Sequence, residues 1–185
     1  MQLALKSPEV HNQCKYIVKV DCDVFVNAKN FIRLIQNLPS SPLIYGGWNW
    51  DIKERPMVVS RDPNWKFYFS REEFPAECFN SYMGGGLYFL SDKLATLLPN
   101  TILQQKDGNG ELEAFPSTYK PPRPAIFRLE DACLGNMIGT MGPDVEFYHV
   151  PNIITDCNSE NKKRTISVHG IKDPDILARG YSIYG

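Results

Sequence analysis

Two pairs of carboxylates are the residues best placed to do chemistry. Asp21 and Asp23 flank Cys22 at the end of the largely apolar run Tyr16–Val20, and Glu130 and Asp131 open the apolar stretch that follows them. Carboxylates at the tip of a buried strand cost energy unless something compensates them. In a strand, residues two apart share a face, so Asp21 and Asp23 would point into one site. Hard divalent cations such as Mg²⁺ and Mn²⁺ prefer such oxygens, with phosphate oxygens completing the shell. A turn whose aspartates cap backbone amides explains the same residues, and on this motif alone the two readings weigh equally. Glu130 and Asp131 suit plain capping of a helix start, the commoner reason for acids there. They also suit a general base, if the site is partly desolvated.

Two further features are weaker. Gly84, Gly85 and Gly86 read either as a tight turn or as backbone kept bare beside a bulky sugar or phosphate. They form neither a dinucleotide fingerprint nor a P-loop. His169 follows the basic run Lys162-Lys163-Arg164. That placement suggests an anionic ligand, although a lone histidine is more often a packed residue and a charge run more often a solvated loop.

The elements around these residues alternate. "YIVKV" reads as a short buried strand, briefly extended by "VFV". Phe31, Ile32, Leu34, Ile35 and Leu38 have helical spacing after Asn27, a suitable N-cap, and Pro39 and Pro42 follow. "PLIYGGW" reads as a second strand, and Lys66 to Ser70 as a third, shorter one. "MGGGLYFLS" reads as a glycine turn feeding a strand. Ser91 is placed to cap the helix "DKLATLL". Residues 104–124 are rich in Gly, Pro and charge and read as a long surface loop. A helix from Glu130, the strand "VEFYHV" and a short strand before His169 complete an α/β pattern.

Composition bounds the function. The chain has 185 residues, 43% of them hydrophobic, which suits one domain with a core. Twenty basic and 21 acidic residues leave a net charge of −1, unlike the basic footprint of a nucleic-acid binder. No apolar run approaches the ~18 residues of a membrane span, and "MQLALKSPEV" is too short and polar for a secretory signal. The five cysteines show no CxxC pair and are compatible with free thiols or with one or two disulfides.

Taken in order, the motifs resemble the beta-1,3-galactosyltransferase family, which includes beta-1,3-N-acetylglucosaminyltransferases. "KYIVKVDCDVFVN" resembles that family's strand and Asp-Asp-Asp-Val-Phe-Val-Asn. "NWKFYFSREEFPAECFNSYMGGGLYFLS" is similar to its aromatic and triple-glycine tract, "LEDACLGNMI" to its Glu-Asp helix start, and "RTISVHGIKDP" to its late histidine segment. The resemblance covers roughly Cys14 to Ile176. Cys22 stands where the family has its middle aspartate, Met83 where it has a cysteine, and Leu87 where it has a glycine.

The resemblance implies an α/β class with an incomplete GT-A (Rossmann-like) domain, a mixed sheet flanked by helices, with residues 1–185 forming one domain. That domain would be the C-terminal part of the catalytic domain, without its N-terminal nucleotide-binding strands. It implies an inverting hexosyltransferase that moves galactose or N-acetylglucosamine from a UDP-sugar to a glycan on protein or lipid. Asp23 and His169 would be ligands of Mn²⁺ or Mg²⁺, and Asp21 would hold the ribose side or order the metal's water. Asp131 would be the base, with Glu130 beside it, and Gly84, Gly85 and Gly86 would line the cleft. It also implies the lumenal side of the Golgi membrane, reached through a segment not seen in this chain. Two other readings stay open: an inactive remnant of the family, and an unrelated metal- or carbohydrate-binding module.

Overall fold

The computed structural model describes residues 14–50, 57–104, 129–139, 141–153, 155–156 and 165–180. Of the loop expected at 104–124, Gln104 instead ends a helix, and residues 105–124, like the basic run at 162–164 and Cys157, lie outside the described residues. Among the described residues a mixed sheet of four strands is flanked by helices. Its strands are β1 (Tyr16–Val20), β3 (Ile44–Trp50), β4 (Tyr82–Ser91) and β5 (Glu146–His149), in the order β1-β4-β3-β5. β4 runs antiparallel to β1 and β3, and β3 runs parallel to β5. A second, small sheet joins β2 (Phe25–Val26), β7 (Ser167–His169) and β6 (Thr155–Asp156).

Local chemistry sets the helices. Asn27 caps α1 (Ala28–Gln36), its side chain accepting from the Asn30 N–H at 3.1 Å. Phe31, Leu34, Ile35 and Leu38 pack against the core around Phe89, whereas Ile32 is exposed. Ser91 Oγ receives the N–H of Leu94 at the start of α2 (Asp92–Gln104) and donates to the carbonyl of Pro42. α3 (Glu130–Gly139) buries Ala132, Leu134 and Ile138 against β4 and α2. α4 (Pro174–Ala178) is a short helix capped by Asp173.

Four expectations are corrected. β1 is not a buried strand: it ends the four-stranded sheet, and Val18 and Val20 stay 38% and 41% exposed. Asp21-Cys22-Asp23 is not strand but a turn, closed by Val24 N–H donating to the Asp21 carbonyl at 3.3 Å. The glycine tract is not a turn. Gly84–Gly86 lie inside β4, and the positive-φ glycines among the described residues are Gly142 and Gly170. Residues 66–70 form no strand beyond the single bridge between Ser60 and Tyr68. Instead Arg61 gathers that segment, its guanidinium donating to the carbonyls of Phe69, Ser70 and Ala76.

Candidate active site

The turn after β1 gathers the first group of residues. Asp21 N–H donates to the Gly86 carbonyl at 3.0 Å, which anchors the turn on β4. β2 follows immediately and pairs with β7, Phe25 opposite Val168. That register carries His169 back beside Asp23, and Ile171 N–H donates to the Asp23 carbonyl at 3.0 Å. Gly170, with φ +82°, provides the left-handed bend that lets the chain leave β7 at this point. His169 Nε2 stands 3.6 Å from Asp23 Oδ1. One ligand atom from each of Asp21, Asp23 and His169 lies within 4.8 Å of the others, and all three residues are half-buried.

This donor set fits a divalent cation. Two carboxylates supply hard oxygens, and one imidazole favours Mn²⁺ over Mg²⁺, which prefers an all-oxygen shell. Cys22 is exposed at the tip of the turn and takes no place in the trio. Both aspartates converge because the turn folds them inward, not because they alternate along a strand.

The second group sits at the N-terminus of α3. Asp131 Oδ1 accepts the N–H of Ala132 at 2.8 Å, and its carboxylate also receives the Gly85 N–H. Burial pushes the Asp131 carboxyl above the usual aspartate range and the Glu130 charge adds to this. The Ala132 and Gly85 N–H groups and Lys19 pull the other way. Glu130 is more exposed and accepts the hydroxyl of Tyr88. Burial, and then that same carboxylate, hold the Tyr88 hydroxyl well above its ordinary value.

Lys19 joins the two groups. Its ammonium donates to Asp21 Oδ1 at 2.6 Å and to the Gly85 carbonyl, and lies 3.4 Å from Glu130 Oε2. Burial opposes its charge, but the hydrogen bond to Asp21 and the charge of Glu130 outweigh it, so its pKa is raised and it is a firm cation. Lys19 and Tyr88 are direct partners across the β1–β4 pair, which puts both on the face that meets α3.

All the residues singled out in the sequence thus fall in one region. Asp21, Asp23 and His169 form one cluster and Glu130 and Asp131 another; on β4, Gly86 holds Asp21 of the first and Gly85 holds Asp131 of the second. Gly84 is buried in the same strand. Sequence reasoning missed Lys19 and Tyr88. The one available signal was Lys19 itself, a charge inside an otherwise apolar strand two residues before an aspartate.

The family model described as "Galactosyltransferase" matches residues 3–109, more than half of the chain. That span holds Asp21, Asp23 and the glycine tract, but not Glu130, Asp131 or His169. Curated proteins named UDP-GalNAc:beta-1,3-N-acetylgalactosaminyltransferase 1, from Mus spicilegus and Mus musculus, are each 23% identical over 170 residues. The match covers 88% of this chain and 44% of each relative, so the chain spans less than half of their length. Among the described residues, no helix is long and apolar enough to cross a membrane.

Proposed function

The chain belongs to the galactosyltransferase family, and from that premise we propose that its site serves metal-dependent, inverting transfer of a hexose from a UDP-sugar to a glycan hydroxyl. The observation that carries this reading is the convergence of the Asp21–Asp23–His169 trio with the Glu130–Asp131 helix start, through Lys19 and β4. Asp23 and His169 would hold Mn²⁺, with Asp21 as a third ligand or an anchor for the ion's water. When bound, that cation supplies neutralisation of the charge developing on the departing diphosphate.

The protein's own groups supply the rest. Asp131 takes the proton from the acceptor hydroxyl, which then attacks the anomeric carbon opposite the leaving UDP. Its raised pKa makes it a stronger base than an exposed aspartate. The N–H groups of Ala132 and Gly85 fix its carboxylate in one orientation. Gly84 and Gly86 are buried in β4, and the bare backbone at Gly85 lets the Asp131 carboxylate lie against the strand. Glu130, tied to Tyr88 and Lys19, keeps the helix start in register with the turn.

The relatives' names specify UDP-GalNAc as donor, so N-acetylgalactosamine joins galactose and N-acetylglucosamine as the sugars to test. The acceptor is a glycan on protein or lipid, and the family implies the Golgi lumen. The experiment is transfer or donor hydrolysis from the three UDP-sugars, with and without Mn²⁺. Cation-dependent UDP release supports the proposal. Absence of turnover together with absence of Mn²⁺-dependent UDP binding sinks it, and leaves the inactive-remnant reading.

A further inference from the structure

Lys19 belongs to neither acidic motif, yet its ammonium shares a carboxylate with the candidate cation site. It holds Asp21 Oδ1 at 2.6 Å, leans on Glu130 Oε2 at 3.4 Å, donates to the Gly85 carbonyl and stands 5.6 Å from the centroid of the Tyr88 ring. Its side chain is 23% exposed, so water and salt screen it only in part. These contacts fix where the positive charge sits. A fixed charge there repels a second cation brought to Asp21 and attracts an anion brought to the same place.

We propose that Lys19 is a positioning and charge-balancing residue: it restrains binding of a divalent cation alone at Asp21, Asp23 and His169, and strengthens binding of the nucleoside diphosphate there. This rests on the reading that the trio takes a divalent cation beside UDP. Lys19 already neutralises part of the Asp21 charge, so the trio without nucleotide holds the cation loosely. The negatively charged diphosphate meets the cation and the ammonium together. Lys19 needs no contact with the diphosphate for this, because its field alone has the required sign.

A lysine that only braced the turn would behave differently. Its loss would loosen Asp21 against β4 and weaken both ligands. The charge-balancing role predicts shifts of opposite sign, and that difference is the test.

The experiment is titration of the whole chain by calorimetry, first with Mn²⁺ alone, then with UDP at saturating Mn²⁺. K19M should bind Mn²⁺ about three- to tenfold more tightly and UDP about three- to tenfold more weakly than the wild type. K19R, which keeps the charge, should stay within about twofold for both. K19Q carries the same prediction if K19M does not fold, since its amide can still donate to Asp21 or to the Gly85 carbonyl. Any pattern in the neutral variant other than opposite shifts overturns the role of Lys19. A wild type that binds both ligands, with variants that fail this pattern, removes this inference alone. A wild type that binds neither removes the parent reading and this inference with it.

Discussion

Gly85 of β4 lies so close to Asp131 of α3 that a Cβ built on it would stand 3.0 Å from Asp131 Oδ2. A side chain here is limited by space and not by backbone freedom, since the φ of Gly85 is not in the left-handed region and Asp131 would have to give by a few tenths of an ångström. G85A should therefore fold, with Asp131 pushed aside. Transfer should fall by about two- to tenfold, since small misplacements of a reacting group are costly. The melting temperature should drop only a few degrees. Paired activity and thermal-melt measurements check this, and an unchanged rate would contradict the placement of Asp131.

Asp131 should show opposite effects on activity and stability. Burial raises its pKa in the folded chain, so between the unfolded and folded values the folded state holds more protons. Stability from this group is then full below the unfolded value and is lost as pH rises through the folded one. At neutral pH the charged carboxylate costs stability, and D131N should melt at the same or a higher temperature. Activity should fall about a hundredfold or more. In the wild type it should decline toward acid pH with an apparent pKa above the usual aspartate range. A D131N variant that melts markedly lower would show that Asp131 is a structural cap.

Gly135 lies inside α3, where alanine would ordinarily stabilise a helix by about 1 kcal/mol. Here its Cβ would meet the Ser81 carbonyl oxygen at 2.6 Å and the Tyr82 Cα at 2.7 Å, both backbone atoms. G135A should instead destabilise, by about 1–3 kcal/mol, and lower activity because α3 carries Glu130 and Asp131. Chemical denaturation gives the sign directly.

Much of this was legible in the sequence because it depended on local chemistry. The Asn27 cap, the spacing of Phe31, Leu34 and Ile35, and the acids opening α3 act within a few residues of themselves. The order of the Asp, Gly, Glu-Asp and His motifs carried the family and so the mixed α/β sheet. What failed was backbone geometry set by distant partners. Asp21-Cys22-Asp23 turns because Asp21 is tied to Gly86, and the glycines extend because β4 is clamped between β1 and β3. Neither partner is visible from the local pattern. Lys19 was missed for the same reason: its contact with Glu130 spans more than a hundred residues of chain.

The cation site gives a sharper set of variants. D23N and H169A each remove one donor from a trio whose ligand atoms lie within 4.8 Å. Each should weaken Mn²⁺ binding by about tenfold or more. C22S, altering an exposed side chain outside the trio, should change it by less than about twofold. Mn²⁺ titration followed by water-proton relaxation reports all three.

The most direct test is UDP binding by the whole chain with Mn²⁺ and after chelation, in the wild type and in D23N. We expect UDP to bind with Mn²⁺, to be lost on chelation, and to be weak in D23N even at high Mn²⁺. UDP binding that ignores both the chelator and the Asp23 substitution would contradict the account.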